Sequence, residues 1–89
     1  MRPSSNALLI QALALEVKAR RAQLDLTQED LAGRAELDRP YVSMIEVARK
    51  QPTLSVLHRL AGALDLSLAV FMRRIERRYQ DLEKVRSSA

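Results

Sequence analysis

Arg39, Pro40, Tyr41, Ser43 and Met44 fall in one short stretch, and Arg49 and Lys50 follow closely. Those side chains have the chemistry to read the edges of stacked bases. An arginine fork spans guanine O6 and N7, a serine hydroxyl serves either a donor or an acceptor, and a methionine touches a thymine methyl. Tyr41 shares the outer side of the same stretch. Pro40 carries no amide donor and no polar tip, so any reading there is confined to apolar contact. Arg49 and Lys50 suit phosphates, which set register and not sequence. Upstream, Thr27 and Gln28 stand at the start of a helical pattern. Free N–H groups and the helix dipole favour an anion at such a point, and Gln28 adds a side-chain donor. The rival reading is an ordinary helical hairpin with a solvated polar face.

These residues need elements to hold them, and the chain reads helical throughout, an all-α class. Ser4, Ser5 and Asn6 each offer an N-cap for a first helix to about Leu24, with Leu9, Leu13, Val17 and Leu24 as its stripe. Thr27-x-x-Asp30 approximates a capping box for a second helix over about 28–35. Asp38 caps a third, with Pro40 in its first turn and Val42 and Ile45 inward. Thr53 caps a fourth, with Leu54, Leu57, Leu60, Ala61 and Leu64 inward, and Ser67 a fifth. The fifth stripe is Leu68, Phe71, Met72, Ile75, Tyr79 and Leu82. The expected organisation is one domain over 6–85, between disordered ends at 1–5 and 86–89. A short pair, the second and third helices around Glu36-Leu37-Asp38, has the spacing of a helix-turn-helix. In that arrangement the first of the pair crosses a DNA backbone and the second enters the major groove.

The totals narrow the function. A chain of 89 residues fits one domain and buries a modest core. Without cysteine there is no disulfide or thiolate metal site, and a lone His58 builds no zinc site; no cofactor is expected. No apolar run approaches the roughly 18–20 residues that span a membrane. The first residues run on amphipathically into the basic segment at 18–21, and read as part of the folded domain rather than a leader. A cytoplasmic, nucleoid-associated protein is expected. Net charge is +4, and arginine outnumbers lysine, with a pI near 10.1. Such a balance suits a polyanion, though an ordinary basic surface has it too. No nucleophile–base pair, carboxylate dyad or phosphate-binding glycine loop is found, so catalysis is not expected.

The stretch LTQEDLAGRAELDRPYVSMIE resembles the Cro/C1-type (XRE, lambda-repressor-like) DNA-binding family, which includes restriction–modification controller proteins. The resemblance is carried by Leu26-Thr27-Gln28, Leu31-Ala32, Tyr41-Val42-Ser43 and Ile45-Glu46, and it extends from about Leu13 to Phe71. It implies a five-helix domain and double-stranded DNA as partner. It implies a phosphate contact at Gln28 and base reading at Arg39, Pro40, Ser43 and Met44. It implies that Arg21 on the first helix pairs with Glu46 at the end of the third. In some relatives the residue matching Glu29 touches RNA polymerase; a solvated glutamate is the competing reading. The sequence departs from the family where helices end. Asp25, Glu36, Ala48 and Asp65 stand where relatives carry glycine, while Gly33 and Gly62 fall inside helices.

The fifth helix runs on past the family core. Phe71, Met72, Ile75, Tyr79 and Leu82 make a stripe that the domain would leave bare, so a second copy is expected to cover it. The alternative is that this helix folds back onto the first helix of its own chain. The reading that results is a homodimeric transcriptional regulator on a (pseudo)palindromic operator, without an effector domain. An antitoxin partner of a toxin, or a protein-interaction adaptor that has lost DNA binding, are the rivals.

Overall fold

Side chains start four of the helices. In the computed structural model, which describes residues 6–88, the Asn6 side chain accepts a hydrogen bond from the Leu9 N–H and opens α1, Ala7–Gln23. Thr27 opens α2, Gln28–Ala35, and Asp38 precedes α3, Arg39–Glu46. Thr53 opens α4, Leu54–Ala63, and the Ser67 hydroxyl accepts from Val70 N–H at the head of α5, Leu68–Ser88. Asp38 makes no side-chain cap bond; Pro40 in the first turn of α3 lacks the N–H that would need one. Among the described residues there is no strand. The expectation of disorder at 1–5 lies outside the described residues, as does Ala89.

The helices end without glycine. Asp25, Glu36, Ala48 and Asp65 all adopt left-handed backbone, with φ between 55° and 61°. Each turn returns N–H groups to the helix behind it: Leu37 to Ala32 O at 2.9 Å, Arg49 to Met44 O at 2.8 Å, Leu66 to Ala61 O at 2.9 Å. A left-handed residue with a Cβ costs about 1–2 kcal/mol. The departure from the family's glycines therefore leaves the geometry intact and stores strain in it. Two arginines assist at the end of α4: Arg20 donates to Leu64 O at 2.9 Å and Arg34 to Ala63 O at 3.3 Å. Both set positive charge against the negative end of the helix dipole.

One core joins all five helices. Leu13 and Val17 of α1, Leu31 of α2, Val42 and Ile45 of α3, Leu60 of α4, and Phe71 and Ile75 of α5 are buried in it, with Leu64 just past α4. The fourth-helix stripe expected from sequence is corrected at Leu54, which is 71% exposed; it sits in the first residue of α4, beyond the reach of the neighbouring helices. The fifth helix also outruns its expected end. It stays helical to Ser88, where the sequence suggested a disordered 86–89 tail. Ser88 Oγ donates to Lys84 O at 2.8 Å and Arg86 pairs with Glu83 at 3.7 Å, which occupies the last turn. Among the described residues no single helix is long and apolar enough to cross a membrane.

Candidate nucleic-acid interface

The α2–turn–α3 unit is built on a reciprocal cap. Asp30 N–H donates to Thr27 Oγ and Thr27 N–H donates to an Asp30 carboxylate oxygen, both at 3.0 Å. The Thr27 N–H, then its hydroxyl, hold the Asp30 carboxyl below its ordinary range, so it is ionised at the positive end of α2. Three residues after α2 ends, α3 begins, its inner side made by Val42 and Ile45, both fully buried.

Glu46, the last residue of α3, fixes how that helix sits. Its side chain is 3% exposed. Arg21 of α1 grips it with two bonds, Nε to Oε2 at 2.7 Å and Nη2 to Oε1 at 2.9 Å. The third nitrogen of the fork, Nη1, donates to Leu26 O at 2.8 Å, in the turn leading to α2. Gln28 donates its amide to Glu46 Oε1 at 3.1 Å. Burial pushes the Glu46 carboxyl up, but the bonds from Arg21 and Gln28 outweigh it and hold the group below its ordinary range. Three elements thus meet on one ionised carboxylate, and the axis of α3 is set relative to α1 and the head of α2.

The Gln28 side chain is engaged within the domain. Its amide is turned toward Glu46, and the residue is half-buried. What remains at the head of α2 is backbone: the N–H groups of Gln28 and Glu29, which lie in the first turn and have no partner four residues back. The Thr27 hydroxyl is committed to the cap, accepting from the Asp30 N–H and bonding its carboxylate.

The outer side of α3 is open. Arg39 and Pro40 are exposed, Tyr41 and Ser43 are half-buried, and Met44 is 38% exposed. Arg49 is exposed just beyond the helix. Lys50 returns toward it, with Nζ 5.6 Å from the centre of the Tyr41 ring. That cation–π contact holds an ammonium beside the helix. The result is an uncovered eight-residue cylinder with Arg39 at its head and Arg49 and Lys50 behind its tail. A helix of this width fits the major groove, and cations at both ends fit the phosphates that border it.

A family model described as helix-turn-helix matches residues 17–71, which contain the whole of α2, α3 and α4. The chain belongs to the Cro/C1-type helix-turn-helix family. The immunity repressor of Bacillus phage phi105 is 41% identical to this helix-turn-helix protein over 56 residues. That match takes in 63% of this chain and 39% of the repressor, so the chain spans about two fifths of that relative's length. Control protein C.MunI of a Mycoplasma species is 33% identical over 60 residues, 67% of this chain and 81% of that protein. Among solved structures, the restriction–modification controller C.Esp1396I, crystallised as a tetramer with its natural 35-base-pair operator, superposes with a TM-score of 0.78. It is 29% identical, and the match covers 84% of this chain and 99% of the controller.

A second cluster in this helix-turn-helix protein escaped the sequence reading. Glu16 of α1 is 1% exposed. Arg74 Nε donates to its Oε2 at 2.6 Å and Arg78 Nε to its Oε1 at 2.7 Å. The signal was present: Glu16 adjoins Val17 on the inward stripe of α1, opposite arginines spaced four apart on α5. The same packing bears on the expected dimer face. Phe71 and Ile75 are 0% and 2% exposed within a single chain. Tyr79 and Leu82 are half-buried against the same core, and Tyr79 Oη accepts from Asn6 Nδ2 at 3.3 Å. The helix folds back on α1, which covers most of the stripe that seemed bare. Of that set Met72, 38% exposed, is the most open, and Tyr79 and Leu82 keep part of their surface free.

Proposed function

We propose that this chain is a DNA-binding transcriptional regulator that works as a homodimer on a (pseudo)palindromic operator. The observation that carries the reading is the open outer face of α3, aimed by the Glu46 carboxylate and bracketed by Arg39, Arg49 and Lys50. In this reading Arg39 reads a guanine edge and Ser43 a neighbouring donor or acceptor. Arg49, Lys50 and the first N–H groups of α2 hold phosphates and set register. The protein acts by binding, not by catalysis. The operator complex of C.Esp1396I, a tetramer on DNA, supports both the partner and the need for more than one copy.

The homodimer face is assigned to the exposed sides of Leu9 and Met72, with Ile75 at the floor of the groove between them. Leu9 and Met72 border a groove of about 250 Å³ that Ile10, Leu13, Pro52 and Leu57 also line. It is apolar, it lies at the junction of α1, α4 and α5, and Leu9 and Met72 are each 38% exposed at its rim. A second copy seated there has to set two α3 helices roughly 34 Å apart, the separation that half-sites one turn apart demand. Selecting bound sites from a random duplex pool tests the whole reading. Two inverted half-sites are expected, with affinity falling steeply as salt rises. A pool that yields no preferred sequence and no salt-dependent binding overturns it. Met72→Asp is expected to give a monomer by sedimentation equilibrium, and an unchanged dimer moves the interface elsewhere.

A further inference from the structure

The outermost ridge of α3 is apolar. Pro40, Met44 and Val47 lie four and three residues apart, which puts them in one row along the helix. Val47 closes the helix, but its N–H still bonds Ser43 O at 3.1 Å, so its side chain stays in register with the turn before. The row faces away from Val42, Ile45 and Glu46, all buried. Val47 is 59% exposed, Met44 38%, and Pro40 is also exposed. The polar groups flank the row: Arg39 at the head on one side, and on the other Tyr41 with Lys50 beside it.

We propose that this ridge recognises thymine methyl groups, and that Val47, with Met44 and Pro40, is a specificity-determining residue. The inference rests on the reading of the chain as a DNA-binding protein. On the major-groove edge of a duplex, the thymine C5 methyl is the one apolar group a base presents. An apolar row entering the groove gains by covering methyls and loses by covering carbonyl and amino groups it cannot bond. The flanking cations Arg39, Arg49 and Lys50 match a partner whose apolar groups lie between two rows of phosphate. The half-site is therefore expected to hold thymines under the middle and tail of α3, with the guanine read by Arg39 at its head.

The test replaces each thymine of the selected operator by deoxyuridine, which removes the methyl and leaves pairing unchanged. Each thymine under the ridge is expected to lose roughly fourfold in affinity, the value of one buried methyl. Met44→Ala/Val47→Ala, changes at exposed positions that leave the core alone, is expected to bind thymine and uracil operators equally. Equal binding of both operators by the parent protein overturns the inference while leaving DNA binding standing. So does an identical uracil penalty in the double variant, since the loss then belongs to the duplex. A parent that binds no duplex in a salt-dependent way sinks the regulator reading itself. If Val47→Ala abolishes capture of a protein partner and not of DNA, the ridge is a protein-docking face, and the inference is likewise overturned.

Discussion

Glu46 and Glu16 are both buried carboxylates held by arginine, yet they do different things. Glu46 takes two bonds from one fork and a third from Gln28, and Arg21 is itself 18% exposed. Glu16 takes one bond from each of two arginines that are 34% and 35% exposed. The first cluster joins α1, α2 and α3, and α3 has only eight residues and little stability of its own. The second fastens α5 to an α1 that Phe71 and Ile75 already grip through the core. A short helix with a job to do at its outer face needs a directional tie. A long helix packed by its own apolar stripe needs its buried charge neutralised. Glu46 therefore bears on orientation and Glu16 on stability, and the two can be separated.

The largest effect is expected from stranding Glu16. Arg74→Ala/Arg78→Ala leaves a carboxylate buried with no counter-charge, a loss of about 3–5 kcal/mol. A domain of this size has about 5–15 kcal/mol in all, so urea unfolding should shift far to lower denaturant. Operator affinity of the fraction still folded should stay near the parent value. A loss below about 1 kcal/mol would mean that water reaches Glu16, and the contrast with Glu46 would fail.

Next is Glu46→Gln, which keeps shape and removes charge. Arg21 retains its bond to Leu26 O, so stability should fall by only about 1–3 kcal/mol. Operator affinity, measured where the variant is fully folded, should drop about tenfold or more, because α3 loses the tie that aims it. Affinity that follows only the folded fraction would reduce Glu46 to the same stabilising role as Glu16.

The pH dependence sharpens the same point. Burial alone would raise the Glu46 carboxyl, and the bonds from Arg21 and Gln28 reverse that and lower it. Unfolding returns the group to its ordinary value near 4.5, so the unfolded chain binds its proton first on acidification. Stability from this carboxylate is complete above that value and is lost as pH falls through the lower folded one. The gap in unfolding free energy between parent and Glu46→Gln should therefore narrow below about pH 4.5. A constant gap would exclude the ionised pair as its source.

Much of this was legible in the chain. Thr27, Thr53 and Ser67 mark helix starts, because a hydroxyl can serve N–H groups a helix leaves over. Asp25, Glu36, Ala48 and Asp65 mark the left-handed ends by standing in line with glycines of similar chains. Val42 and Ile45 follow from spacing. What periodicity does not encode is which partner covers a stripe. Phe71 and Ile75 suit the back of α1 as well as a second copy, and only packing decides. Periodicity also misplaces an acid on an apolar stripe: Glu16 reads as exposed until the arginines on α5 are seen opposite. Val47 is hard to place from sequence because it closes α3, although its N–H continues the helical ladder.

The smallest effect tests whether the Glu46 tie is sufficient. Ala48 lies two residues past it, in left-handed backbone with φ 61°. Ala48→Gly removes the strained Cβ and should raise stability by about 1 kcal/mol. Gly62→Ala in α4 should add a similar amount, since nothing lies within 4 Å of the new methyl and alanine is the better helix former. The two differ in what they do to the chain that follows. Glycine at 48 loosens the approach to Arg49 and Lys50, whereas alanine at 62 touches nothing near α3. If Glu46 alone aims α3, both variants should be more stable and bind the operator within about twofold of the parent. If Ala48→Gly gains stability and loses affinity beyond that, the strained turn shares the aiming with the carboxylate. The tie at Glu46 would then be one of two, and α3 would depend on the stiffness of its exit as well as on its charge.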